Sequence, residues 1–343
     1  MKTWIRVAAV VLAGTCLAAG MSCSKKNPVA IPTNYVNPNA LYQVYIMGVP
    51  MLHQDFNTSG RFNLAVIGLT LNENVFWASA SNATVATTCT TGTYTGAIES
   101  IAKVIPTLSK IAVQMIFDGS GSMSWNDPGG VRKAAGTIFI SKLNRRNPLH
   151  KVAVAEFGRD SPLDFYFHLW QDFTLVADSA SFSSTFQQLS EDGATPFYTA
   201  VRRGLEHMDS TISPSECNRA ILALTDGVEN SSHYQDTVNG GYNVYTLARN
   251  RNIPIYIVGL GTDIDLNGMV RMSSYSSGVY AQANVANDLK GIYAVIGASL
   301  SQGYNLLTCT VSPVPPSGKQ LKFTIRLKDG DKLVAKDVWF QIP

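Results

Sequence analysis

The stretch Ile111–Met123, IAVQMIFDGSGSM, constrains the fold more than any other part of the chain. Ile111 to Phe117 is apolar except at Gln114, the pattern of a strand buried on both faces of a parallel sheet. The run stops at Asp118, and the next residues are small, hydroxylated and Gly-rich. Asp118, Ser120 and Ser122 set a carboxylate and two hydroxyls on alternate positions of a tight turn. Open α/β sheets bind ligands beyond the carboxyl ends of their strands. Hard oxygen donors there suit Mg²⁺, Mn²⁺ or Ca²⁺, and not a metal that prefers thiolate or imidazole. Taken alone, D-x-S-x-S is also the sequence of a Gly/Ser turn whose Ser caps a helix.

The segments that follow alternate between strand and helix patterns. Gly129–Leu143 is an amphipathic helix, Lys151–Phe157 a strand, and Phe165–Phe173 an edge strand returning antiparallel. Ser181–Leu189 and Phe197–Asp209 have helical spacing, Arg219–Thr225 is a strand, and Val244–Asn250 belongs to a helix. Ile253–Gly259 and Val279–Gln282 are strands, and Leu266–Ser273 and Val285–Ser301 are helices. This βαβ alternation predicts an α/β fold, a doubly wound and mostly parallel sheet with helices on both faces.

On either side the chain changes character. Leu41–Val49, Arg61–Leu71 and Val75–Ala80 read as short strands separated by Asn/Gly/Ser-rich breaks. Gly96–Leu108 reads as a short helix or a connector ended by Pro106. The tail from Tyr304 contains strands only, with Asp329-Gly330 as a hairpin turn between Leu321–Leu327 and Leu333–Phe340. Neither flank is large enough to bury a core alone. The two β-rich flanks, 41–108 and 304–343, are therefore expected to pair into one β-sandwich, with the α/β domain of residues 109–303 inserted between them.

Residues 1–22 read as a signal peptide: Lys2 and Arg6 precede the apolar run Val7–Ala19, which is too short to span a bilayer. Cys23 follows small residues and precedes the polar, Pro-containing segment 23–40, which reads as a linker. This resembles a bacterial lipoprotein site in which the Cys becomes the acylated first residue, although Gly20 stands where such sites usually have Leu. Cys16 is the rival acceptor, and an ordinary secreted protein with a free thiol is the third possibility. The resemblance implies an exported protein held in the cell envelope by a lipid anchor, as an outer-membrane lipoprotein. An exported compartment permits disulfides, and Cys89–Cys309 is the expected pair, leaving Cys217 as a small buried residue. Without Lys2 and Arg6, 25 of the 27 basic side chains remain against 24 acidic ones. No basic cluster calls for nucleic acid.

Two later segments bear on the first turn. Asp192-Gly193-Ala194-Thr195-Pro196 precedes a helix and offers Thr195 as a hydroxyl ligand or as a helix cap. Leu224-Thr225-Asp226-Gly227 ends a strand in a carboxylate, as a ligand or as a turn former. Together, DGSGSM, GATPFYTA and LTDGVEN resemble, in order and spacing, the three site loops of the von Willebrand factor type A (vWA) domain, over about residues 109–303. The resemblance implies a metal-ion-dependent adhesion site. Ser120, Ser122 and Thr195 would donate hydroxyls, and Asp118 and Asp226 would bind directly or through water. Mg²⁺ is the expected ion, with Mn²⁺ or Ca²⁺ as alternatives. The remaining coordination position would take an Asp or Glu carboxylate from a protein partner. Trp125, just past the first loop, either lines the ligand face or covers the core.

A catalytic role would need a positioned general base. The five His residues match no such pattern, although His233 lies near the third loop, and no nucleophile elbow, H-E-x-x-H or phosphate loop occurs. The expected function is adhesion or complex assembly by an envelope lipoprotein. The alternatives are a structural subunit with a purely stabilising metal site and a metal-dependent hydrolase.

Overall fold

A computed structural model describes residues 39–53, 55–89, 92–159 and 165–342. The leader, Cys16, Cys23 and nearly all of the linker lie outside the described residues. Strands β1 (Leu41–Leu52), β2 (Arg61–Thr70), β3 (Val75–Phe76), β4 (Ala83–Thr88) and β5 (Thr95–Val104) come first, with a one-turn helix α1 (Phe56–Ser59) between β1 and β2. The α/β part runs β6 (Ile111–Asp118), α2 (Met123–Asn126), α3 (Val131–Arg146), β7 (Lys151–Phe157), β8 (His168–Leu175), α4 (Ser179–Gln187) and α5 (Phe197–Thr211). It continues with β9 (Asn218–Thr225), α6 (Tyr234–Asn250), β10 (Ile255–Leu260), α7 (Leu266–Tyr275), β11 (Tyr280–Ala283) and α8 (Asp288–Gln302). Strands β12 (Tyr304–Ser312), β13 (Gln320–Asp329) and β14 (Lys332–Gln341) close the chain.

The α/β sheet has the order β11-β10-β9-β6-β7-β8, with every neighbour parallel except the antiparallel edge pair β7–β8. All eight residues of β6 are buried. Val113, Met115 and Phe117 join a core shared with α3, α4 and α8 on one face, while Ala112 and Ile116 join a core shared with α5, α6 and α7 on the other. This two-sided burial is why the strand reads as a continuous apolar run. Its one polar side chain before the terminal Asp118, Gln114, is satisfied by His207 Nδ1 of α5 at 2.7 Å.

The strands before and after this part pair with each other. β12 lies between β2 and β5 in the sheet ordered β1-β2-β12-β5, and β13 lies between β4 and β14 in a second sheet. The sheets close on a core that includes Phe62, Leu64 and Val66 from one and Leu321, Phe323 and Ile325 from the other. Ala65, Ile67 and Leu69 of β2 point the opposite way and join the core of the α/β part. β2 is thus buried on both faces, and the sandwich is continuous with the inserted domain.

Two sequence expectations need correction here. Gly96–Leu108 is neither helix nor connector; most of it is β5, paired with β12. A register shift at Thr308/Cys309 leaves Glu99 as an extra residue. The bulge brings Ile98 and Ile101, opposite Cys309 and Leu307, onto the same core-facing side. Their spacing of three imitates a helix. The expected Cys89–Cys309 bridge is also absent: both are free thiols. Cys309 sits in β12 and Cys89 follows β4 of the facing sheet, where its Sγ donates to the Gln320 carbonyl at 3.4 Å.

Candidate metal centre

The parallel pairing of β6 and β9 brings the ends of both strands to one level, so Asp118 and Thr225 close their strands side by side. Asp118 is fully buried. Its Oδ1 accepts from the Ser120 amide at 2.8 Å, which closes the turn, and its Oδ2 accepts from Thr225 Oγ1 at 2.6 Å and from the Asp226 amide at 3.4 Å. Asp226 faces it across the strand ends. Its Oδ1 accepts from Ser122 Oγ at 2.7 Å and its Oδ2 from Asn126 Nδ2 at 3.0 Å, while Ser120 Oγ and Ser122 Oγ lie 3.0 Å apart. Ser122 precedes α2 and caps it with no side-chain bond. The hydroxyl that could have capped a helix is turned to a carboxylate instead.

The second loop is stitched onto the first by backbone bonds. The Asp192 amide donates to the Gly119 carbonyl at 2.7 Å, and the Gly121 amide to the Gly193 carbonyl at 3.1 Å. Gly193 has φ +91°, and a Cβ there would lie 1.9 Å from the Gly158 carbonyl oxygen, so only glycine fits. Gly119 is tight for a different reason: a Cβ would meet the buried Glu156 carboxylate at 2.6 Å. Thr195 follows, buried, with its amide on Asn230 Oδ1 at 2.9 Å and its carbonyl accepting from the Asn230 amide at 3.2 Å. It caps nothing, because Pro196 occupies the cap position of α5. A Cβ built on Gly227 would lie 3.1 Å from Thr195 Oγ1 and 3.6 Å from Ser122 Oγ. Gly227 therefore leaves clear the space onto which these hydroxyls open.

All five residues singled out from the sequence, Asp118, Ser120, Ser122, Thr195 and Asp226, thus converge from three loops. Burial first, and then the charge of Asp226, pushes the Asp118 carboxyl up to about 6. Burial likewise raises Asp226 above the usual carboxylate range. Two carboxylates driven toward the neutral form by desolvation and like charge are complemented by a bound cation. The buried Arg132, whose charge only partly offsets the rise at Asp226, spends its hydrogen bonds on Asp127 at 3.0 Å, Glu191 at 3.2 Å and the Ser190 carbonyl at 2.7 Å. Two carboxylates and three hydroxyls fit a hard divalent ion. Among the described residues no group of three or more His, Cys, Asp or Glu forms a rival centre.

Sequence reading missed the residues that orient these ligands. Thr225 and Asn230 flank Asp226 within LTDGVEN and could have been suspected from that proximity alone. Asn126 bonds Asp226 from the short α2. Glu229 accepts from the Ser231, Ser232 and Tyr198 amides at 2.8, 2.6 and 3.1 Å, so it shapes the third loop without facing the centre. Glu156, one residue before the end of β7, joins the Ser190 amide at 2.5 Å to Trp170 Nε1 at 2.9 Å. Burial raises its carboxyl. Trp125 does not cover the core; it is 85% exposed beside the first loop. His233 stacks on Tyr166 with ring centroids 4.4 Å apart.

No protein-family model matches the chain, and no curated protein does. Among solved structures, a von Willebrand factor type A protein from Catenulispora acidiphila aligns over 90% of this chain and 75% of its own, at 11% identity and a TM-score of 0.48. The pilus adhesin SpaC from Lactobacillus rhamnosus GG aligns over 90% and 49%, at 11% identity and a TM-score of 0.45. Proximal thread matrix protein 1 from the mussel byssus, solved with a zinc-occupied MIDAS motif, aligns over 62% and 50%, at 14% identity and a TM-score of 0.41. The chain spans about half the length of the latter two proteins. On its own strand order and its three oxygen-bearing loops, the α/β part of this chain resembles a vWA domain.

Proposed function

We propose that this chain is an exported lipoprotein of the bacterial cell envelope whose vWA-like domain binds a protein partner through a divalent cation. The observation that carries it is the convergence of Asp118, Ser120, Ser122, Thr195 and Asp226 at the carboxyl ends of β6 and β9. These five residues would hold Mg²⁺, with Mn²⁺ or Ca²⁺ as alternatives. Two carboxylates balance its charge, and weakly donating hydroxyls leave it able to attract a further anionic oxygen. The chain's own residues hold the oxygens in place, and Trp125 beside them offers apolar area to a partner. An Asp or Glu side chain of that partner is the chemistry this site complements.

We take the site to be a binding site rather than a catalytic one. His207 is engaged with Gln114, His233 with Tyr166, and His150 is buried at the far end of β7. None of these three hydrogen-bonds a candidate ligand among the described residues, so we assign none of them as a general base. The lipid anchor and outer-membrane location rest on the leader and Cys23 alone.

Partner capture from a native membrane extract tests this reading, with Mg²⁺, with chelator, and with the Asp118→Ala variant. Capture is expected to need the metal and Asp118 while the melting temperature of the metal-free protein stays high. Undiminished capture in chelator would sink the proposal. A large drop in melting temperature with capture intact would favour a purely stabilising ion in a structural subunit. Turnover in a substrate screen of the metal-loaded protein would favour a hydrolase.

A further inference from the structure

The C-terminal hairpin carries more positive charge than its fold requires. Residues 304–343 hold six Lys or Arg against three Asp or Glu, and the whole chain nets +3, so the remainder is balanced. β13 buries Leu321, Phe323, Ile325 and Leu327 in the sandwich core. The alternate residues Lys322, Thr324, Arg326 and Lys328 therefore share the outer face. Across the ladder Trp339 stands opposite Lys322 and Leu333 opposite Lys328. These two are 52% and 58% exposed, and the Lys322 ammonium lies 5.8 Å from the Trp339 ring centroid. On the other side β4 contributes only Thr84, Ala86 and Thr88. Asp337, bonded to Thr324 at 2.7 Å and paired with Lys322 at 3.3 Å, is the acid on this face.

Lysines on an edge strand discourage edge-to-edge pairing, which is reason enough for Lys332 and Lys336 on β14. β13 is the central strand of its sheet, so Lys322, Arg326 and Lys328 have no such duty. Exposed Trp and Leu among basic side chains are the composition of a surface that sits at a bilayer interface. The entry of the chain into the fold lies at the same hairpin. The Leu41 amide donates to Asp329 Oδ2 at 2.8 Å, and Lys332 Nζ stands 5.4 Å from the Tyr42 ring centroid. From Leu41 back to Cys23 the chain can span at most about 60 Å, so an anchor at Cys23 would hold a bilayer within reach of this face.

We propose that the outer face of the three-stranded sheet docks on an anionic lipid bilayer, with Lys322, Arg326 and Lys328 over the phosphates and Trp339 and Leu333 entering the interfacial layer. The metal centre takes no part in this contact. Each basic side chain near an anionic surface strengthens binding about fivefold, and the effect is screened by salt.

The test uses the full chain carrying Cys23→Ser, which removes the thiol to be acylated, and sedimentation with phosphatidylcholine vesicles with and without phosphatidylglycerol. Neutral vesicles read any contribution of the N-terminal apolar run. Anionic lipid is expected to increase binding, high salt to reverse the increase, and Lys322→Glu/Arg326→Glu/Lys328→Glu to weaken it on the order of a hundredfold. A blue shift of tryptophan emission on anionic vesicles should disappear in Trp339→Phe. Unchanged metal binding would show that the triple variant is folded. An increment that survives the triple substitution would overturn the proposal. So would equal retention on a soluble polyanion such as heparin with no Trp339-dependent shift, which would assign the face to a polyanion.

Discussion

The α/β part and the sandwich build their sheets from different kinds of neighbour. β6, β7, β9 and β10 are parallel strands buried on both faces, joined by connections that contain helices, with the antiparallel β8 intervening between β7 and β9. β2 and β12 are antiparallel neighbours with some 240 residues between them, and most sandwich strands bury one face only. Where a strand is buried on both faces, its own unbroken apolar run announces its surroundings, even though the paired β6 and β9 are far apart in the chain. Where a strand buries one face only and carries a bulge, as β5 does, its pattern is ambiguous until its partner is known. The site belongs to the first kind of structure, which is why its ligands could be named in advance.

The sharpest way to break this contrast is to ask whether the two parts melt separately. Phe323 is buried in the sandwich core with its ring centroid 4.6 Å from that of Phe62. Phe323→Ala is expected to cost about 3–5 kcal/mol. Because β2 contributes to both cores, calorimetry should show one transition shifted as a whole; a separate sandwich transition would show that the parts are independent.

Arg132→Met tests the α/β side with a comparable effect. Asp127, fully buried, accepts from the Val131 amide at 2.6 Å and the Arg132 amide at 3.1 Å at the start of α3, and Arg132 is its charge partner. Removing that partner strands a buried charge and is expected to cost about 3–5 kcal/mol by denaturant unfolding. It should also weaken metal binding, since Arg132 holds Ser190 and Glu191 ahead of the second loop. A stable variant with unaltered metal affinity would show that the loops do not depend on this contact.

The smallest effect concerns acid. His150 accepts the Ile111 amide at 3.2 Å, and burial pushes its imidazole down to about 4. It is neutral in the fold and ordinary when unfolded, so its contribution is complete above about pH 6.5 and is lost as pH falls toward 4. Up to about 3 kcal/mol is at stake. His150→Gln, which keeps an acceptor, should flatten the decline of stability over that window; an identical acid limb would place the sensitivity elsewhere.

Legibility followed the same division. β6 was readable because burial on both faces suppresses polar residues along its length, and its end was readable because Asp118 interrupts that run. The hydroxyls of Ser122 and Thr195 each had a competing use as helix caps, and nothing local decides between a cap and a ligand. The α6 segment Tyr234–Asn250 was legible only at its end, because Val238–Gly241 leaves helical geometry and breaks the periodicity. Cys89 and Cys309 misled because flanking positions in sequence say nothing about which sheet each strand joins.

By itself, the sequence determined the parallel α/β core, the end of its central strand and the oxygen donors gathered there. These depend on periodicity and on side-chain chemistry, which are local properties. Only the tertiary structure decided that β12 slots between β2 and β5, that Glu99 is a bulge, and that Asn126, Thr225 and Asn230 orient the ligands. It alone also set Lys322, Arg326 and Lys328 on one open face beside Trp339. Strand partnership and loop stitching are settled by contacts between residues far apart in the chain, and no window of sequence contains both sides of such a contact.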